Sequence, residues 1–129
     1  MATPNVVVIL QSILTATNNL ISPAPTIANF DFQNPTMNAA GIFFDPFFQA
    51  TAGGAAVPLP ASKIFLLAVQ NLSANLNLTV TVTPFGGAAS PVILGQNGIY
   101  IYFDPNETGQ GISAVTLTGT GTAFVMVGA

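Results

Sequence analysis

From Leu76 to Thr83, apolar and polar side chains alternate without a break. Successive side chains of a β-strand point to opposite faces of a sheet, whereas those of a helix return to one face only every three or four residues. The segment therefore predicts a strand with one buried face and one polar face. Pro84 is expected to end it, because proline has no backbone N–H to donate.

Further strands are predicted around this one. Residues 63–70 form a nearly continuous apolar run, which is typical of a strand buried on both faces, and residues 112–122 alternate again. Shorter apolar runs lie between Pro, Gly and Asn breaks at 27–32, 42–44, 92–94, 99–103 and 124–127. No helical pattern alternates with these strands. The chain is therefore predicted to be all-β, an antiparallel β-sandwich of jelly-roll type over residues 29–129, with its clearest signal over 61–129.

Residues 1–28 are predicted to form an N-terminal helix or an extended arm. Thr3 and Pro4 suit the start of a helix. A row of apolar side chains has the spacing of one helical face, namely Val6, Ile9, Leu10, Ile13 and Leu14. The β-branched run over residues 6–9 favours a strand instead. We favour the helix, which Pro23 and Pro25 would end.

Charged residues make up 4% of the chain, one Lys or Arg and four Asp or Glu, where a soluble domain usually has about 25%. So little charge favours association, and we expect much of the surface to be covered by partners or to carry neutral polar groups. Nucleic-acid binding is not expected, because phosphate contacts need clustered basic side chains and Lys63 stands alone. A membrane span is not expected, because no stretch approaches the roughly 20 apolar residues that a bilayer requires.

Enzymatic activity is not expected. The chain has no His and no Cys, which removes the commonest general base and the thiol nucleophile. Asp104 and Glu107 are the only local carboxylate pair, and with Asn106 they could offer oxygen ligands to calcium. Their loop lacks the EF-hand spacing, and a solvated hairpin loop is the simpler interpretation. We predict no catalytic residue, no cofactor and no metal, and keep these three residues as a calcium candidate.

The candidate interface residues are apolar. Phe43, Phe44, Phe47 and Phe48 flank Asp45-Pro46, and they either anchor in a groove of a neighbour or fill the chain's own core. The apolar row of the N-terminal segment is the second candidate set.

Threonine rows are predicted on two strands, Asn77, Thr79, Thr81 and Thr83 on one and Thr116, Thr118, Thr120 and Thr122 on the other. Such rows resemble ice-binding faces. Threonine also forms strands well and faces water or a partner without charge, and this is the interpretation we favour. Asn-X-Ser/Thr sequons begin at Asn71, Asn77 and Asn106, but no signal peptide is evident and no glycan is expected.

The signal-free start over residues 1–4, the near absence of charge and the Gly/Thr/Val-rich stretch over 111–122 resemble, as a class, the small decoration or cement proteins of bacteriophage heads. The likeness covers mainly residues 61–129 and includes no diagnostic motif. It implies a virion protein assembled in the host cytoplasm. Its symmetric copies, with a trimer favoured, would pack against one another and against other capsid proteins and stabilise the shell.

Two alternatives stay open. One is another virion building block, such as a small jelly-roll coat, turret or tail protein. The other is a module on the particle surface that binds a host glycan or protein. That module would need an exposed pocket with converging polar groups, for which Tyr100, Tyr102 and the Asp104 loop are the candidates.

Overall fold

The computed structural model describes residues 6–11, 13–18, 26–31 and 35–129, and within these ranges the chain is all-β. In chain order the strands are β1 Val6–Ile9, β2 Ile13–Asn18, β3 Thr26–Asp31, β4 Thr36–Ala39, β5 Ile42–Gln49, β6 Ala55–Ala56, β7 Leu66–Asn71, β8 Leu78–Pro84, β9 Ser90–Leu94, β10 Ile99–Phe103, β11 Ile112–Thr118 and β12 Thr122–Gly128. In these ranges no helix could cross a membrane.

Eight of these strands form two four-stranded sheets. Sheet I has the order β10-β7-β12-β5 and sheet II the order β6-β11-β8-β9. Every pairing within the two sheets is antiparallel, as the sequence predicts. The two sheets share one core, to which sheet I contributes Leu67, Val69 and Val125 and sheet II contributes Val80 and Leu117. Each of these five side chains is at most 1% exposed.

The alternation that begins at Leu76 explains how β8 lies in the core. Leu78, Val80 and Val82 are buried, while Thr79 and Thr81 between them are half-buried on the other face. Burying the apolar face stabilises the strand by about 25 cal/mol for each Å² of apolar surface removed from water. The half-buried strand predicted here is confirmed.

A second, smaller core lies on the outer face of sheet I. β1 pairs with β4 as a two-stranded ribbon, and β4 buries Met37 and Ala39 against Leu66 of β7. Val8 of β1 and Met126 of β12 pack against this cluster. The prediction that the strand within 63–70 is covered on both faces is therefore confirmed at Leu66. β2 and β3 pair with each other as a separate two-stranded sheet.

The prediction of an N-terminal helix is wrong over the described residues, because Val6–Ile9 and Ile13–Asn18 are strands. Val8 packs inward while Val7 and Ile9 are 57% and 50% exposed, which is the two-residue period of a strand. β-branched side chains prefer extended backbone, and β4 supplies the hydrogen-bonding partner that such a backbone needs. The proposed helix start and stop, at residues 3–4 and 23–25, lie outside the described residues.

Candidate interaction surface

The outer face of sheet I carries rows of side chains that cross all four strands. Register partners across β10, β7, β12 and β5 form the middle row Ile101, Ala68, Met126 and Phe44. On one side of it lies the row Phe103, Leu66, Gly128 and Ile42, and on the other Ile99, Gln70 and Phe124. No residue of these rows is charged.

The β1–β4 ribbon covers the row that contains Leu66, and its cluster also contacts Met126 of the middle row, whereas Ile101 and Phe44 at the ends of that row stay exposed. Phe47 is 73% exposed, Ile99 60%, Phe44 50% and Ile101 45%. We call these four side chains, together with Phe124, the apolar face. Phe124 lies on β12, between β5, which carries the two phenylalanines, and β10, which carries the two isoleucines. The four expose about 450 Å², if a full large side chain presents about 200 Å². This area is the sum over the two edge strands β10 and β5, and as a sum it is comparable with the largest patches on monomeric proteins, which are often functional.

The four candidate phenylalanines divide between core and surface because β5 contains a β-bulge. Phe43 and Phe48 pack on the main core, whereas Phe44 and Phe47 face solvent. In a regular strand, residues five positions apart point to opposite faces. The register with β12 shifts between Asp45 and Phe48, and the extra residue returns Phe48 to the core side. Phe43 and Phe48 therefore fill the chain's own core, whereas anchoring of Phe44 and Phe47 in a neighbour stays a prediction.

Local contacts fix the exposed pair of rings. Pro46 lies in the bulge of an edge strand, where no ladder hydrogen bond is required of it. The N–H of Phe47 donates to the Asp45 carboxylate, with 2.9 Å between N and Oδ1. Phe44 contacts Phe124 edge to face, with 5.1 Å between ring centroids. These contacts hold the Phe47 backbone and the Phe44 ring in place.

An open groove of about 480 Å³ borders the apolar face, lined by Val7, Val8, Ile9, Ile42, Phe44 and Met126. None of these side chains is polar, so the groove suits apolar contacts. Of the N-terminal candidates, Ile9 is exposed at its rim and Leu10 is half-buried. The side chains of Val6, Ile13 and Leu14 lie outside the described residues.

The calcium candidate is a loop held together by its own hydrogen bonds. The Gly109 N–H donates to the Asp104 carboxylate at 2.6 Å, and the Glu107 N–H donates to the Asp104 carbonyl at 3.1 Å. Glu107 has a φ of 56°, which turns the chain at the loop tip. Among the described residues, no group of three or more His, Cys, Asp or Glu could hold a metal ion.

The tyrosines proposed for a host-binding pocket face inward. Tyr100 and Tyr102 alternate with the exposed isoleucines of β10, are partly buried and pack against the main core. They do not form an exposed platform on which a sugar ring could stack.

The threonine rows meet on the outer face of sheet II. Thr79 is the register partner of Thr118, and Thr81 that of Thr116. The second predicted row does not stay on one strand after Thr118, because Thr122 lies on β12, which belongs to sheet I. The two sheets therefore differ outside: sheet II presents neutral hydroxyls beside the exposed Ile93, and sheet I presents the apolar face.

Asn71 has a role that the sequence reasoning missed. Its side chain is 1% exposed, and its amide nitrogen lies 2.8 Å from the Leu76 carbonyl, 3.0 Å from that of Leu94 and 3.1 Å from that of Gly95. Its Oδ1 accepts from the Ser73 N–H at 3.0 Å. Asn71 thus joins the end of β7 in sheet I to strand ends of sheet II, and its sequon is not accessible to modification. The sequence feature that could have indicated this role is the position of Asn71, a polar residue directly after the apolar run of residues 63–70.

Comparison of the chain with protein-family models, with curated proteins and with solved structures finds no match.

Proposed function

We propose that this chain is a structural subunit of a virus particle, a capsid decoration or cement protein whose symmetric copies stabilise the shell, with a trimer as the favoured order. The observation that carries the proposal is the apolar face, about 450 Å² of exposed Phe and Ile. Water contact with this surface is unfavourable, and neighbouring subunits in a shell would remove it.

The distribution of charge supports a position away from the genome. Lys63 is the only basic side chain of the chain, and its Nζ lies 4.1 Å from the centroid of the Phe85 ring. A cation over an aromatic face is attracted by the ring quadrupole, which favours this position of the ammonium over contact with a phosphate. A protein with a net charge of −3 has little to offer to phosphates, so contact with other capsid proteins is the better fit.

We further propose that the two sheets form a β-sandwich of the jelly-roll type. Strands β5 to β8 pair in reverse order with β9 to β12, namely β5 with β12, β6 with β11, β7 with β10 and β8 with β9. This is the order of one long hairpin rolled up on itself. The pairs β7–β12 and β8–β11 then join the turns of the roll into two sheets. Eight-stranded jelly rolls recur in viral capsid proteins, and also in lectins and cupins.

The same strand order favours one alternative, a small jelly-roll coat, turret or tail protein. The support for this alternative is the likeness of its fold to jelly-roll proteins, and a fold by itself fixes no function. A host-binding module is less well supported, because the groove beside the apolar face is lined by apolar side chains and both tyrosines face the core.

Virus particles from the source organism would test the proposal. We expect mass spectrometry to find the chain in purified particles at a regular copy number. Particles that lack it should still assemble but should release their genome at a lower temperature, and added protein should restore the release temperature. If particles fail to assemble without the chain, it is a coat protein. If the chain is absent from particles, the proposal is wrong.

A variant ties the test to the apolar face. Phe47→Ser removes the most exposed ring among the described residues, and it should rebind depleted particles at least about tenfold more weakly than the original chain. Ile93→Ser is the matched control, because Ile93 is 67% exposed on the outer face of sheet II. Equal rebinding by both variants would show that the apolar face does not contact the shell.

A further inference from the structure

The two sheets end in four edge strands, and three of these carry features that hinder pairing with another chain. β5 contains the bulge at Pro46, β9 contains Pro91, and β6 has two residues. Proline, bulges and short length are the usual protections of a sheet edge. The fourth edge, β10, spans Ile99–Phe103 without proline, glycine, charge or register shift. Among the described strands it has a neighbour on one side only, β7.

The backbone of β10 is oriented for pairing on its open side. The Asn71 N–H donates to the Gly98 carbonyl and the Asp104 N–H to the Phe65 carbonyl, each at 2.9 Å, just before and just after the strand. Hydrogen-bonded positions alternate along an antiparallel pair. Tyr100 and Tyr102 therefore direct their N–H and C=O groups to β7. Residues 99, 101 and 103 direct theirs to the open edge.

We infer that this edge pairs with β10 of a second copy of the chain, antiparallel about a two-fold axis at Ile101. In this register Ile101 faces Ile101 of the other copy, and Ile99 faces Phe103. All of the outward backbone groups of β10 then find partners, in about six hydrogen bonds. Register partners in a sheet point to the same face, so the exposed isoleucines of both copies cover one another and the tyrosines stay inward.

A second copy suits this edge better than a charged peptide. β10 itself carries no charged side chain, so two copies of it meet without charge repulsion. On both sides of the axis the isoleucines then point outward and the tyrosines point inward. The two-fold axis is perpendicular to the sheet, so the apolar faces of the two copies lie on the same side and join into one continuous surface. The pairing thereby enlarges the surface on which the proposed function rests, although dimerisation itself does not depend on a virion.

The contact is small. A five-residue strand is about 17 Å long, and its edge buries less than the about 800 Å² per partner of a standard interface. We therefore expect a dissociation constant on the order of micromolar in solution. The two-fold contact links one pair of copies, so the proposed trimer would use another surface of the chain. In a shell, the two kinds of contact would act together and hold far more tightly than one.

Amide hydrogen exchange on the unmodified chain tests the pairing directly. Between about 10 μM and about 1 mM, exchange at the amides of residues 99, 101 and 103 should slow about fivefold to tenfold, because the monomer fraction falls at most with the square root of concentration. The amides of Val92 and Ile93 on the proline-containing edge β9 should exchange at the same rate at both concentrations. Exchange at β10 that is independent of concentration, or a chain that remains monomeric at about 1 mM, would overturn the inference.

Two variants give a second readout by sedimentation equilibrium, with circular dichroism to confirm that each is folded. Ile101→Pro removes an outward N–H without removing a bond to β7, and Ile101→Lys brings two like charges together at the axis. Each should raise the dissociation constant of the dimer about 100-fold, whereas Ile93→Lys should leave it within about threefold. If self-association persists in Ile101→Lys and is lost in Phe47→Ser, the copies meet through the apolar face and the inference is wrong. The particle experiment decides the proposed function separately.

Discussion

Replacing Asn71 by alanine should lower the free energy of unfolding by about 3 kcal/mol. The two hydrogens of the Asn71 amide are shared among three carbonyls, and the contact with the Leu94 carbonyl is buried, so water cannot replace the lost donor there. Leaving one buried polar group without a partner costs about 1–3 kcal/mol. The bonds that involve Leu76, Gly95 and Ser73 are partly buried, and their loss adds a few tenths to about 1 kcal/mol each.

Urea unfolding followed by circular dichroism would measure this loss, since the chain has no Trp for fluorescence. A domain of this size unfolds at a cost of about 5–15 kcal/mol, and the dependence on urea is about 1–3 kcal/mol per molar. The midpoint should therefore move down by about 1–3 M with an unchanged slope. Asn77→Ala is the control, because Asn77 is exposed and should change stability by less than about 0.5 kcal/mol.

A second substitution separates lost donors from lost packing. Asn71→Asp keeps the size of the side chain but turns a negatively charged oxygen toward the three carbonyls that Asn71 serves. At neutral pH it should destabilise the chain more than alanine does, because a buried charge without a partner is worse than an unfilled space. A loss below about 1 kcal/mol for alanine, or an aspartate variant as stable as the alanine variant, would refute the donor role.

Three further predictions concern the surface and the backbone. Phe47→Ser should leave the midpoint of urea unfolding within about 0.5 M of the unchanged chain, because the ring is 73% exposed, and a larger shift would mean that the ring belongs to the core. Gly111→Ala should lower thermal stability by about 1–3 kcal/mol, because Gly111 has a φ of +75° and an added Cβ would lie 3.2 Å from the Phe65 ring, whereas Gly53→Ala, with nothing within 4 Å, should be nearly neutral. Self-association measured by light scattering should change less than about threefold between 50 mM and 1 M NaCl, and a steeper dependence would point to ionic contacts instead.

Strands whose pattern is local were predicted correctly. The alternation around Val80 placed β8, and the apolar run bounded by Gly98 and Asp104 placed β10 at its observed bounds. A period of two residues is a property of the strand itself, so it is visible before any partner is known. The all-β, antiparallel character of the chain followed from such segments.

The N-terminal segment shows where a local pattern misleads. Apolar residues at 6, 9, 10, 13 and 14 match a helical face, yet residues 6–9 and 13–18 are separate strands. A break between two short strands can reproduce the spacing of a helix by chance. The decisive contact is with β4, some thirty residues away along the chain, and spacing within the segment contains no information about it.

The apolar face could be predicted only in part, because it depends on which alternate residues of each strand point outward. Both faces of β10 are apolar in sequence, so nothing local shows that Ile101 points out and Tyr102 points in. In β5 a bulge reverses the expected sides of Phe47 and Phe48, and that bulge arises from the pairing with β12. The meeting of the threonine rows likewise depends on a register between strands more than thirty residues apart.

The paired threonines of sheet II have a consequence for a particle that presented them outward. Thr79 beside Thr118 and Thr81 beside Thr116 hold water by hydroxyl groups alone, which neither titrate nor gather counter-ions. Such a face by itself would gather almost no electrical double layer. Its adhesion to charged minerals, membranes or other particles would therefore hardly change between fresh water and brine, and short-range hydration would be what keeps two such particles apart.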